Sequence, residues 1–409
     1  MGAPERSRAR DFSLGVEEEY QIVDPQTFAL TQRAEPVLSN AEISAGGIHP
    51  ELNLSQVEIS TAVCSTLAEV RAELARSRKE LRAAAEAAGV LIAAAGTHPF
   101  SHWSEQTVTP TTRYLAMERD YAQLVREHIV FGFHVHVGIA DAEVALQTME
   151  RSAVWLPFLI ALAANSPYWV GLDTGFASYR TDMCDRWPTG GLPESFGSRD
   201  DYERLVKSLI ATGSIKDEAE IYWDVRPSAR WDTLEFRVTD VCSSIDEAVM
   251  VTGLIRASAQ ICHDQALSDA PSDLPRPELA RAAKWRAARF GINDTLIDLQ
   301  ETAAGPAPEV IENHLGRLRP YLEANDDWDE VADLVRATLR RGRVRIASDA
   351  SSSGRDDSRT WSRPSSERRT GRGSTRGRCS PGPASGAGAG SSPERCAPCR
   401  SPRYVRWGR

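Results

Sequence analysis

No run of apolar residues in this 409-residue chain approaches the roughly 18 that a membrane span needs, so it is not expected to be an integral membrane protein. The opening segment MGAPERSRARDF has no apolar centre and does not read as a secretory signal. The seven cysteines are scattered and odd in number, which fits reduced thiols and a cytoplasmic location. Cys396 and Cys399 make one CxxC, and a single pair does not make a zinc site. Neither GxxxxGK[ST] nor GxGxxG occurs, so P-loop and dinucleotide-fold readings lack support. Lysine is scarce, with only Lys79, Lys207, Lys216 and Lys284, so arginine carries nearly all the positive charge.

What is present is a globular composition, 41% hydrophobic and 26% charged. The net charge of −9 conceals a split. Residues 1–342 hold 33 basic and 52 acidic side chains (−19), and residues 343–409 hold 15 arginines and 5 acids (+10). An acidic main body argues against nucleic acid as a partner. In the tail, Arg, Ser, Gly and Pro supply 44 of 67 residues, and such a segment is expected to be disordered. The change of composition just after ATLRRG is also what a shifted reading frame in GC-rich DNA would produce. The expected organisation is therefore one catalytic domain, 1–342, followed by a tail, 343–409.

Helical spacing predicts helices over 66–88, closing at Gly89, and at about 143–165, 200–211, 244–268, 277–290, 308–325 and 328–341. Period-two alternation predicts strands over 12–23, 56–61, 130–138, 221–226 and 233–239, and an apolar run covers 90–95. Strands scattered irregularly among helices, several with one polar face, predict an α+β fold built on a largely antiparallel sheet. The segment 171–199 is too long for a simple connector and reads as a functional loop or lid.

The polar faces carry the chemistry. Glu17 and Glu19 share one face of the first strand, and Glu58 lies between the apolar Val57 and Ile59. His134 and His136 oppose Phe133, Val135 and Val137; Thr233, Glu235, Arg237 and Thr239 oppose Leu234, Phe236 and Val238. Tyr222, Asp224 and Arg226 oppose Ile221, Trp223 and Val225. An ExE or HxH on a single strand is more often a solvated or structural face, and Glu235 beside Arg237 could be a surface ion pair. If the strands share one sheet, however, several carboxylates converge on one surface and repel unless cations neutralise them. Oxygen ligands with an occasional imidazole suit Mg²⁺ or Mn²⁺, and arginines on the same face hold phosphoryl oxygens. The residues thus point to metal-dependent phosphoryl transfer. Glu18 falls on the apolar side and finds no functional account in the sequence.

The ordered segments GVEEEYQIVD, HPELNLSQVEIST, AAGTHPF, GFHVHVG, SPYWVGLDTGFASYRT, RWPTGG and TLEFRVTD resemble the carboxylate–amine ligase family, the type 2 glutamate–cysteine ligases of the glutamine synthetase-like superfamily, from about Phe12 to Arg341. The resemblance implies an antiparallel sheet forming a funnel that holds ATP and Mg²⁺ or Mn²⁺. It implies metal-ligand positions at Glu17, Glu19, Glu51, Glu58, His134 and Glu235. It also implies a phosphate-binding Arg237 and a His136 nearer the transferred phosphate. Arg180 and Trp187 in the long loop, with Arg226, are read as substrate contacts. The implied reaction joins the γ-carboxylate of glutamate to the amine of cysteine through an acyl phosphate, with a possible homodimer as the assembly. A ligase for another acid and amine, a guanidino-type phosphotransferase and a non-catalytic nucleotide-binding relative remain open.

Overall fold

The computed structural model describes residues 11–41, 46–268 and 274–342, so the arginine-rich tail expected to lack order lies outside the described residues. The strands, in chain order, are β1 (Leu14–Val23), β2 (Gly47–Pro50), β3 (Gln56–Ser60), β4 (Leu91–Ala93), β5 (Gly132–Gly138), β6 (Tyr168–Trp169), β7 (Leu172–Asp173), β8 (Val225–Pro227), β9 (Thr233–Asp240), β10 (Thr295–Asp298) and β11 (Ala303–Pro306). Seven of them form one sheet in the order β2-β3-β1-β5-β9-β8, with β4 on the far end of β1; β6–β7 and β10–β11 are separate hairpins. Every pairing in the large sheet is antiparallel, as the alternating sequence patterns predict.

One face of the sheet is apolar because every second side chain is. Leu14, Val16, Phe133, Val135, Val137, Leu234 and Phe236 lie in one buried cluster. The helices Ala142–Arg151, Leu156–Ala163 and Ile245–Leu267 cover that cluster. Full burial of a phenylalanine such as Phe133 or Phe236 contributes about 1.5–3 kcal/mol, so this layer fixes the register of the central strands. A second cluster joins Tyr20, Ile22, Val57 and Ile59 to the helix Leu67–Ala87, which Thr66 caps through Glu69 N at 3.2 Å and which stops before Gly89, at φ +73°.

Register then lines up the other face. Glu19 is opposite Glu58, Glu17 opposite His134, His136 opposite Glu235, and Glu235 opposite Arg226. A bulge interrupts the β5–β9 ladder: Phe133 pairs Thr239 but Val135 pairs Phe236, so β9 carries one extra residue. Thr239, which strict alternation assigns to the polar face, therefore turns to the apolar side and donates its hydroxyl to Phe133 O at 2.8 Å.

Other expectations are corrected by local chemistry. The segment 143–165 is two helices joined by the 3₁₀ turn Ser152–Val154, with Pro157 in the first turn of the second, where a missing N–H costs least. Of the strand read over 221–226, only the end continues as a strand of the large sheet, Val225–Pro227; Trp223 bridges Gly191 instead, and Ile221, Trp223 and Val225 are still buried on one side. The long segment 171–199 contains the short helix Tyr179–Cys184, capped by Ser178. The helices Thr112–Tyr121 and Gln123–Glu127, broken at Ala122 with φ +48°, do not show in the sequence periodicity.

Candidate active site

The polar face of the sheet floors a cleft of about 360 Å³. Glu17, Glu19, Glu51, Glu58, His134, His136, Glu235, Arg180, Trp187, Arg226 and Arg237, every site residue singled out from the sequence, line it. Two clusters of possible metal donors form within it: Glu17, His136 and Glu235, and Glu17, Glu58 and His134, each with donor atoms within 4.8 Å of one another. Glu17 belongs to both. Its carboxylate lies 3.3 Å from His134 Nδ1 and 3.3 Å from His136 Nε2. Thr233 Oγ1, 2.9 Å from His136 Nδ1, fixes the orientation of that ring.

Glu19 and Glu51 stand outside both clusters. Glu19 accepts the Gly132 amide at 2.5 Å. Glu51 follows β2, accepts from the Tyr114 hydroxyl at 3.2 Å, and is drawn in by Thr109 on its carbonyl at 2.5 Å. Glu235 is held bidentately by Arg226, at 2.8 and 3.1 Å, and is also paired with Arg237. Arg226 spends its remaining nitrogen on the carbonyls of Ile221 and Ala219, so it acts here as a clamp on Glu235. Trp187 is packed with Leu52, Val108, Met117 and Val125 and donates its indole N–H to His128 Nδ1 at 3.1 Å.

Arg180 is 4% exposed; its Nη2 donates to Arg237 O at 3.2 Å, and its Nε has no partner among the described residues. A buried guanidinium with spare donors is a ready site for an anionic group. Gly132 makes room for it: a Cβ there would collide with Arg180 Nη2 and stand 2.7 Å from His134 Nε2. The loop that carries Arg180 is anchored by Asp240, which accepts from Asn165 N, Ser166 Oγ and Ser178 Oγ at 2.7–2.8 Å.

The electrostatics follow from crowding. Burial, reinforced by Glu17, Glu51 and Glu19, pushes Glu58 well above the usual carboxylate range. Burial and the nearby Glu19 push Glu51 up to about 7. Burial works the same way on Glu235, but Arg237 and Arg226 overcome it and hold that carboxyl well below its ordinary value. Hydrogen bonds from the two histidines likewise hold Glu17 low against its burial. Burial and Arg237 favour the neutral ring of His134. The donor set fits a hard divalent cation, because carboxylate oxygens and the neutral imidazole of His134 converge where burial and neighbouring carboxylates already raise Glu58. His134 Nε2 makes no hydrogen bond among the described residues, which leaves that nitrogen available.

Sequence reasoning missed Tyr114, His128 and Lys284. Tyr114 comes from a helix with no readable periodicity. His128 has only the neighbourhood of GFHVHVG to suggest it. Lys284, 2% exposed, pairs with Asp224 at 2.6 Å and Asp185 at 2.5 Å behind the cleft. Scarcity of lysine was the one signal that could have drawn attention to it.

The structure thus sets helices on one face of an antiparallel sheet and a carboxylate-, histidine- and arginine-lined cleft on the other, and the class of protein that the sequence match assigns to it is a ligase. The chain belongs to glutamate–cysteine ligase family 2, whose model matches residues 13–346. A relative from Rhodopirellula baltica, named provisionally glutamate–cysteine ligase 2, is 38% identical over 336 residues, covering 81% of this chain and 90% of its own. One from Mycolicibacterium smegmatis, provisionally glutamate–cysteine ligase 2-2, is 41% identical over 331 residues, covering 81% and 83%. The crystal structure of glutamate–cysteine ligase from Francisella tularensis in complex with AMP is similar with a TM-score of 0.59 at 12% identity, over 85% of this chain and 86% of that one. A bifunctional glutathione synthetase from Pasteurella multocida gives a TM-score of 0.58 at 16% identity, over 81% and 48%. At these identities the two solved structures speak for the fold alone. Among the described residues no helix is long and apolar enough to cross a membrane, and Cys64, Cys184, Cys242 and Cys262 are free thiols.

Proposed function

We propose that the protein uses ATP with Mg²⁺ or Mn²⁺ to activate the γ-carboxylate of glutamate and joins it to the amine of cysteine. The observation that carries this reading is the sharing of Glu17 between two donor clusters beside three arginines, a floor suited to a polyphosphate and two cations. A carboxylate oxygen of the acid substrate attacks the γ-phosphorus, the bond to the β,γ-bridging oxygen breaks, and ADP leaves. The amine then attacks the acyl carbon of the resulting acyl phosphate, loses a proton and expels inorganic phosphate. Bound cations would screen the phosphates at the two clusters. Arg237, anchored on Glu235, meets the charge developing on the transferred group. Arg180 is suited to hold a carboxylate of the acid substrate.

The test is product formation with ATP and Mg²⁺, first with glutamate alone and then with a panel of amines. Inorganic phosphate and a γ-glutamyl amide appearing in equal amounts, with cysteine the best acceptor, is the expected result. ADP release with a phosphorylated product and no amide would replace the ligase reading with phosphotransfer. An amide formed from a different acid and amine would keep the chemistry and change the substrates.

A further inference from the structure

Trp231 stands on the rim of the cleft, in the loop between β8 and β9, and is 52% exposed. Its ring stacks on no other aromatic ring among the described residues. The loop beneath it is well anchored. Ser228 Oγ accepts from the amides of Arg230 and Trp231, both at 3.3 Å, Ser228 N donates to Thr233 O at 2.9 Å, and Ile139 N donates to Asp232 O at 3.0 Å. A fixed loop that keeps a large aromatic in water beside a polar cleft offers a flat apolar surface at a ligand site.

Its place along the chain indicates which ligand group it meets. Glu235 belongs to one donor cluster, and Thr233, two residues earlier, orients His136 of the same cluster. Trp231 lies two residues further toward the rim, so at a strand rise of about 3.3 Å it is at most about 13 Å of backbone from Glu235. A nucleoside triphosphate whose terminal phosphates lie at Glu235 and His136 can reach that distance with its base. We propose that Trp231 is the platform on which the nucleobase of the substrate nucleotide stacks, and this rests on the nucleotide reading above. Aromatic stacking needs only a π-face, so this contact contributes affinity for the nucleotide without recognising a base edge.

The test uses the full chain with Mg²⁺ and calorimetric titration of two probes, the β,γ-imido analogue of ATP and inorganic tripolyphosphate. Trp231→Ala is expected to raise Kd for the analogue by about tenfold, the scale of one lost stacking contact. Kd for tripolyphosphate should stay unchanged, and Trp231→Phe should keep most of the analogue's affinity. Equal affinity of parent and Trp231→Ala for the analogue overturns the proposal. So does a parallel loss for both probes, which would mean the loop had been distorted. A parent protein that binds tripolyphosphate but not the analogue overturns it as well, and one that binds neither refutes the nucleotide reading and this inference with it.

Discussion

Glu18, between two site carboxylates in the sequence, points to the opposite face of β1 and meets Arg78 at 2.5 Å. The Tyr20 hydroxyl donates to the same carboxylate at 2.7 Å, and Arg78 also donates to Cys242 O at 3.1 Å. Three consecutive glutamates therefore divide between the cleft and the buried architecture by strand parity alone. Glu18→Ala would leave Arg78 without its counter-charge at a site that Glu18 fills at 0% exposure. Loss of one partner of such a pair costs about 3 kcal/mol, measurable by urea unfolding. Mn²⁺ affinity should not change. A stability within 1 kcal/mol of the parent would show the pair to be dispensable.

Glu17 serves two donor clusters, whereas Glu58 and Glu235 each serve one. Titrating Mn²⁺ and following the free ion by electron paramagnetic resonance should show both ions weakened in Glu17→Ala. Only one should be affected in Glu58→Ala or Glu235→Ala. Turnover should fall about 10²–10³-fold in each, the scale of a lost electrostatic contact in the transition state. Full Mn²⁺ stoichiometry with unchanged affinity in Glu17→Ala would remove the basis for placing the ions here.

Gly132→Ala tests the close approach of β5 to Arg180. The added methyl must displace Arg180 Nη2 or the His134 ring, both in the cleft. We expect kcat/KM to drop by about 10²-fold, as for an ångström-scale misplacement of catalytic groups. The circular dichroism spectrum should be preserved. Near-normal turnover would mean that Arg180 can move aside without consequence.

Acid stability provides a fourth test. His98 is 1% exposed; its Nε2 faces Phe28 O at 3.0 Å, while Nδ1 accepts from the Ser101 amide at 2.9 Å, so a second proton would meet a donor. Burial pushes His98 from its ordinary 6.5 to about 4. Burial also lowers His314 to about 4, against the opposing pull of Asp298. The unfolded chain takes up these protons first, so their contribution is complete above pH 6.5 and is lost as pH falls toward 4. Each could contribute roughly 3 kcal/mol over that interval. Unfolding free energies measured from pH 7.5 to 4 should decline, and His98→Gln should flatten the slope. An identical slope in that variant would exclude His98 as a source.

Much of the site was legible because alternation assigns faces before pairing is known. Glu17, Glu58, His134, His136, Glu235 and Arg237 lie on strands whose other side is plainly apolar. Glu51 and Tyr114 were harder to see, since one follows a strand and the other sits on a helix, and their contact spans 63 residues. Only tertiary packing brings them together. The break at Ala122 likewise depends on a backbone conformation that composition does not register. Glu18 had no account because its partner, Arg78, belongs to a helix 60 residues away.

The bulge in β9 gives that strand a second use. Gly132, His134 and His136 project to one side of β5, and Gly132 pairs Asp240 while His136 pairs Glu235. An even-numbered and an odd-numbered residue of β9 thus face the same way, which an uninterrupted strand forbids. The frame change lets eight residues supply a carboxylate and an arginine of the cleft and, past the bulge, the acid that moors the segment bearing Arg180. Deleting the extra residue would swing Asp240 into the helical layer and leave Ser166 and Ser178 without their shared acceptor. The arginine would come adrift although no residue of the cleft floor had been altered.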